Sequence, residues 1–290
     1  MNKPLYIVHL GSLGDSFIVA PSVIFLRGKN RQNNLIWIGN EQAGRIFKKD
    51  GIIDSWHDRD YDLEKTGEAH LKIVFQRSSN VWNDSFSVIQ AKSDIDVPFT
   101  VQYLQSLQKL LSEDIIFPLP ADFSFTEKEV VFFFGSGSIK KNWDIRNYCF
   151  LANKIMEKGY SVRFIGGETE KGSNSIIVLK RENYELHLFE AIEKTYDLIK
   201  RAQFFIGNDC GLSHFASYIG LSGIVIYSPG SDPIHFSPFH YYSRQKIIST
   251  FNNRFFSFEY RNKAIGNDNI IPVEWTEKEK VLKEFLDQFM

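Results

Sequence analysis

The sequence predicts an α/β protein made of two Rossmann-like, doubly wound domains that face each other across a cleft. Three observations carry that expectation. Short apolar runs alternate with helix-period stretches from the first residues onward, as parallel strands joined by crossover helices require. The rhythm breaks over residues 115–126, where Pro118 and Pro120 flank Leu119, and then restarts. Glycine-containing turns follow strands in both halves, the place where an open α/β sheet holds its ligands.

In the first half, residues 5–10 read as a buried strand, followed by a glycine turn and a helix over 16–26. A strand at 35–39 leads into a short helix at 42–48, and further strands are expected at 52–56, 71–75 and 86–90. Val101, Leu104, Leu107, Leu110 and Leu111 lie on or near one stripe of a helix over 100–111. The proline pair suits an extended crossing and places the domain boundary near residue 122. The second half opens with a strand at 130–134, the turn Gly135-Ser136-Gly137-Ser138 and a helix at 146–158. Strands follow at 161–165, 185–188, 203–206 and 224–227, with helices at 195–201 and 212–219. A last helix over 276–290 opens with Thr276 and Glu279, the spacing of a capping box.

The totals exclude several classes. Of 290 residues, 43% are hydrophobic and 24% charged, with 26 Phe, enough apolar material for folded cores and against disorder. A net charge of -1 lacks the basic footprint of nucleic-acid binding. Cys149 and Cys210 are too few for a disulfide framework. Gly11 and Asp15 interrupt the N-terminal apolar run before a signal core forms, and no run approaches the ~20 residues of a membrane span. The expected location is the cytoplasm, with peripheral contact at the inner membrane left open. Arg27, Lys29, Arg31, Lys48 and Lys49 form a basic cluster that suits an anionic partner, blunted by Glu41 and Asp50.

Five stretches carry chemistry. In Gly11-Ser12-Leu13-Gly14-Asp15 the glycines allow a sharp turn and close backbone approach, and Asp15 stands at a helix entrance, where it serves equally well as a cap. With no third glycine this is not the dinucleotide pattern. Gly207-Asn208-Asp209-Cys210-Gly211-Leu212-Ser213-His214 is again a strand-to-helix turn, whose backbone N–H groups and dipole favour a diphosphate. Lys141, in Ile139-Lys140-Lys141-Asn142-Trp143-Asp144, offers a compact positive charge or plain surface polarity. Glu170, in Gly166-Gly167-Glu168-Thr169-Glu170, suits ribose hydroxyls or a polar loop. Pro229-Gly230-Ser231-Asp232-Pro233 follows the next strand. Asp58-Arg59-Asp60 and Asp94-Ile95-Asp96 have a metal-binding spacing without the matching strand context; both read as surface, and neither a metal nor a cofactor is expected.

In this order and spacing the stretches resemble one family, the ADP-heptose–lipopolysaccharide heptosyltransferases of glycosyltransferase family 9, which have the GT-B fold. The opening Gly-Ser-Leu-Gly-Asp, Lys141-x-Trp143, Gly166-Gly167-x-x-Glu170, Asp209-x-Gly211-Leu212-Ser213-His214 and Pro229 to Pro233 are similar to the family's elements. Cys210 departs from a usual Thr and Asp144 from a usual Pro. The resemblance implies an acceptor-binding domain over 1–122, a nucleotide-sugar-binding domain over 123–275 and a C-terminal helix over 276–290 packing back toward the first. It implies inverting, metal-independent transfer from a nucleotide sugar, ADP-heptose by inheritance, to a glycolipid or glycan acceptor. Asp15, Lys141 and His214 would be catalytic. Gly14, Ser136, Glu170, Asp209, Cys210, Gly211, Leu212 and Ser213 would hold the nucleotide sugar. Rival readings are another GT-B enzyme, such as a sugar-nucleotide epimerase, and a non-catalytic nucleotide-binding relative.

Overall fold

The structure, a computed structural model, describes residues 3–77, 82, 85–94, 97–113, 125–138, 141–167, 170, 179, 183–188, 190–228, 232–233, 235–237, 245–249, 270–272 and 277–290. The chain divides into two compact units, Met1–Leu119 and Pro120–Met290. The expected boundary near 122 and the Pro118–Pro120 crossing lie outside the described residues.

The first unit holds five strands, β1 (Leu5–His9), β2 (Leu35–Gly39), β3 (Ser55–His57), β4 (Leu71–Gln76) and β5 (Ser87–Gln90), in the order β3-β2-β1-β4-β5. All pairs are parallel. Around them lie helices α1 (Leu13–Lys29), α2 (Glu41–Lys49) and α3 (Phe99–Leu111), and a 3-10 turn at Leu63–Thr66. Every residue of β1 is buried, as a parallel sheet covered on both faces demands. One core group joins Tyr6, Val8, Ile38, Val74 and Phe86. In another, the Phe47 ring meets Trp37 at 5.2 Å and Phe17 at 5.7 Å, both edge-on, the geometry aromatic quadrupoles favour. Thr100 Oγ1 donates to Ile18 O at 3.0 Å, tying α3 to α1.

The second unit holds β6 (Glu129–Phe133), β7 (Ser161–Gly166), β8 (Tyr184–Leu188), β9 (Phe204–Asn208), β10 (Ser222–Tyr227), β11 (Gln245–Ser249) and β12 (Ile270–Pro272). Their order is β12-β11-β10-β9-β6-β7-β8, again all parallel. The helices are α4 (Ile145–Met156), α5 (Ile192–Arg201), α6 (Gly211–Tyr218) and α7 (Lys278–Phe289). Phe132, Phe134, Phe164 and Phe204 fill the core beneath α4 and α7.

Several expectations need correction. Helix α1 starts at Leu13, not 16, so Asp15 stands three residues past the cap residue Ser12. Strand β3 lies later than expected because Ile53 is turned into the core ahead of it. Strands β11 and β12 were not anticipated. Helix α7 belongs to the second unit: Val281 and Phe285 are buried in its core, and Phe204 meets Phe285 and Phe289 at 5.6 and 5.2 Å. Its cap residue is Glu277, without a side-chain cap, and Thr276, the expected start of a capping box, lies outside the described residues. Among the described residues no helix is long and apolar enough to cross a membrane.

In each sheet the chain's direction of growth reverses beside its first strand, between β1 and β4 and between β6 and β9. A crevice opens beyond the carboxyl ends of the strands at such a point. Both chemistry-bearing turns stand there.

Candidate active site

At the first reversal, Ser12 and Asp15 form a capping box. Ser12 donates to Asp15 Oδ2 from its backbone N–H at 2.9 Å and from its hydroxyl at 2.8 Å. Arg77, directly after β4, reaches Asp15 Oδ1 with Nη2 at 3.1 Å. Burial pushes the Asp15 carboxyl up, but Arg77, the Ser12 hydrogen bonds and His9 outweigh it and hold it below the ordinary carboxylate value. His9 is buried; its Nδ1 lies 2.8 Å from Phe75 O, and its Nε2 makes no hydrogen bond. Burial lowers its pKa, so the ring is neutral, with Nδ1–H donating and Nε2 left as an acceptor. A Cβ on Gly11 would lie 2.4 Å from His9 Nε2 and 2.7 Å from Asp15 Cβ; only glycine lets the turn pass this close. A cavity of about 430 Å³ opens here, lined by His9, Gly11, Gln76, Arg77 and Trp82 among others. Trp82 Nε1 donates to Gln76 Oε1 at 2.6 Å across its wall.

At the second reversal, Asn208 ends β9 fully buried. Its Nδ2 donates to Phe134 O at 2.8 Å, while its Oδ1 accepts from the Tyr148 hydroxyl at 2.9 Å and from Trp143 N at 3.1 Å. One satisfied amide thereby joins β9, the end of β6 and the loop that carries Lys141. Lys141 Nζ lies 2.8 Å from Asp209 Oδ2, and His214 Nε2 lies 3.7 Å from Asp209 Oδ1. Burial raises the Asp209 carboxyl, and His214 and Lys141 together bring it below its ordinary value. Cys210 is the cap residue of α6 and gives no side-chain cap; the first-turn N–H groups around Gly211, Leu212 and Ser213 therefore keep the donor capacity of a helix N-terminus. Ser213 Oγ donates to Asn208 O at 2.6 Å, and a Cβ on Gly207 would lie 2.4 Å from that oxygen. Burial raises the Cys210 thiol, leaving it uncharged. Ser136 Oγ is 2.6 Å from both Ser138 O and Asn142 Oδ1. Glu170 is buried: Gly167 N donates to its Oε2 at 2.8 Å, and its carboxylate packs where a Cβ of Gly135 would otherwise stand, 2.2–2.4 Å away.

The family model described as glycosyltransferase family 9 (heptosyltransferase) matches residues 66–264, more than two-thirds of the chain. The chain belongs to glycosyltransferase family 9. Among solved structures, a family 9 glycosyltransferase from Veillonella parvula aligns with TM-score 0.72 at 16% identity, covering 98% of this chain and 96% of that one. Escherichia coli heptosyltransferase WaaC with ADP aligns at 0.68 and 13%, covering 99% and 100%. The E. coli ADP-heptose lipopolysaccharide heptosyltransferase II aligns at 0.65 and 14%, covering 81% and 87%. Comparison with curated proteins finds no match. The fold is thus the α/β GT-B type, and the protein is a glycosyltransferase.

Within this family 9 chain, the structure gathers the expected residues into two groups. Gly14 and Asp15 stand at the first reversal. Lys141, Asp209, Cys210, Gly211, Leu212, Ser213 and His214 stand at the second, with Ser136 and Glu170 on neighbouring strand ends. Asp209 organises Lys141 and His214. Asp144, where the family's proline is usual, accepts from Arg146 N at 2.8 Å and caps α4. Asp232 bonds His235 N at 3.1 Å and its ring Nδ1, whereas Pro229, Gly230 and Ser231, like Lys140, Glu168 and Thr169, lie outside the described residues. Two members of the basic cluster are committed elsewhere: Arg27 bonds Ile52 O, Asn33 O and Asp54, and Lys29 pairs with Glu113. Asp58 accepts from Asp60 N in a local turn, and among the described residues no cluster is suited to hold a metal. Sequence reasoning missed His9, Gln76, Arg77 and Asn208. His9, Gln76 and Asn208 end strands at the reversals and Arg77 follows directly on one, the positional signal that would have singled them out.

Proposed function

We propose that this glycosyltransferase transfers heptose from ADP-heptose, with inversion, onto a lipopolysaccharide core or related glycan acceptor. The observation that carries this reading is Lys141 held by Asp209 beside the uncapped N-terminus of α6, with His214 in its first turn. Two positive or hydrogen-donating side chains and a helix N-terminus suit the two phosphates of a nucleoside diphosphate. The donor's identity is supported by the relatives, WaaC with ADP and WaaC with ADP-2-deoxy-2-fluoro heptose, the latter aligning at TM-score 0.60 and 13% identity.

In this scheme the acceptor hydroxyl attacks the anomeric carbon as Asp15 takes its proton. The bond from that carbon to the diphosphate oxygen breaks, and the electron pair leaves with the nucleotide. Base catalysis of this kind contributes ~10²–10⁴-fold. Lys141, His214 and the α6 N–H groups are placed before reaction, so they stabilise the leaving charge without reorganising. They supply the positive charge that a metal ion supplies in other transferases.

The test is thermal unfolding against ADP, UDP, GDP, CDP and their sugar conjugates. A ligand at ~100 times its Kd that binds only the folded state adds about 2.7 kcal/mol. Stabilisation by ADP and ADP-heptose, lost in Lys141→Ala, is the expected result. Preference for another diphosphate would discard the heptose donor, and no response to any would sink the diphosphate site.

A further inference from the structure

Asp15 is gripped from two sides. Its own helix takes Oδ2 through the Ser12 N–H and hydroxyl, which leaves Oδ1 as the oxygen free to point elsewhere. Arg77 meets that oxygen at 3.1 Å. The pairing of β1 with β4, Val8 opposite Val74, brings the ends of these strands together at the reversal. Arg77 also leans on the ring of Phe99, the first residue of α3, 5.5 Å from its centroid. Three elements therefore decide where the Asp15 carboxylate points.

The other groups around Asp15 cannot take over this task. His9, from β1, is buried and neutral, with Nε2 unbonded. Tyr103, from α3, has a buried hydroxyl with no partner and is kept protonated by burial. Arg59 influences His9 by charge alone. Arg77 is the cation that the described residues set against the carboxylate, and with a side chain 37% exposed it also borders the cavity.

We propose that Arg77 is a positioning residue for the acceptor base, fixing the direction of Asp15 Oδ1 and keeping the carboxylate ready to accept a proton. The inference rests on the reading of Asp15 as that base. Guanidinium geometry matters as well as charge: a planar fork holds one orientation, and an ammonium does not.

The experiment compares wild type, Arg77→Met and Arg77→Lys in two readouts. The first is carboxyl NMR titration of ¹³C-labelled Asp, with the Asp15 signal assigned by its loss in Asp15→Asn. A neighbouring guanidinium lowers an Asp pKa by about 1–3 units, so Asp15 should titrate at least about one unit higher in Arg77→Met and return toward wild type in Arg77→Lys. An unchanged Asp15 titration in Arg77→Met overturns the proposal. The second readout is transfer activity: kcat should fall on the order of 10- to 100-fold with donor KM unchanged, and the acid limb of kcat/KM should move up with the NMR value. If the NMR value moves while the limb stays, Arg77 grips Asp15 but Asp15 is not the base, and the reading beneath the proposal fails instead. An unchanged ADP-insensitive melting transition shows that the first unit, which holds Arg77, is folded in each variant, and retained stabilisation by ADP shows that the nucleotide site is intact. A fall in ADP stabilisation together with kcat would make Arg77 merely structural, and overturn the proposal.

Discussion

Asp15 shows how much one side chain is asked to do. It is the N3 partner of a capping box, the acceptor of an arginine and the candidate base. Asp15→Asn keeps an oxygen for the Ser12 donors, so fold and nucleotide binding should survive while kcat drops ~10²–10⁴-fold. Steady-state kinetics beside an ADP melting shift would separate these effects, and a parallel loss of both would refute the assignment. Asp209 makes a different case. It holds Lys141 and His214 without being placed as a base, so Asp209→Asn should weaken ADP binding about as much as Lys141→Ala, because both loosen the same cation. The aspartates, the lysine and the histidine were legible because each sits inside a short motif. Arg77 and His9 were not, since only the pairing of β1 with β4 brings their neighbourhoods together.

Elements are where periodicity succeeded and docking did not. Helices α3, α4 and α5 announce themselves by apolar spacing, and the parallel strands by buried runs such as Leu5-Tyr6-Ile7-Val8. Neither signal says which surface an amphipathic helix will cover. Helix α7 has an ordinary apolar stripe, and what assigns it to the second unit is Phe204, whose ring accepts Phe285 edge-on at 5.6 Å. Phe285→Ala should therefore destabilise the second unit by about 3–5 kcal/mol, seen as a fall in the ADP-sensitive melting transition. If only an ADP-insensitive transition moved, the helix would be stabilising the first unit. Asp144 supplies a smaller effect. As the cap of α4 it replaces the rigidity of the usual proline with a hydrogen bond to Arg146 N, and Asp144→Ala should cost about 1 kcal/mol.

At the scale of the molecule, each unit keeps its reactive groups at one end of its sheet, and the second unit carries a different kind of polar cluster where β6 begins. Glu129 starts β6 and Arg163 stands on the neighbouring β7, both buried. Arg163 lies 2.6 Å from Glu129, 3.0 Å from Glu185 and 3.6 Å from Glu127, and it also donates to Leu198 O at 3.3 Å. One guanidinium thus serves three carboxylates. Burial first pushes the Glu129 carboxyl up, and Glu127 and Glu185 add to it. Arg163 opposes them and leaves the value at about 7. The folded value lies above the unfolded one of about 4.3, so the stability that Glu129 contributes is full below that lower value and is lost as pH rises through about 7. Glu129→Gln retains an acceptor for Arg163 and cannot ionise. Its melting temperature should lie close to wild type at about pH 5 and rise above wild type by about pH 8, with the gap opening across the window set by the two pKa values. Thermal unfolding of both proteins in the same buffers, followed through the ADP-sensitive transition, reads the difference directly. Parallel curves would mean that Arg163 carries the ionised Glu129 in full, and a gap opening toward acid would mean that their attraction outweighs the burial of the pair.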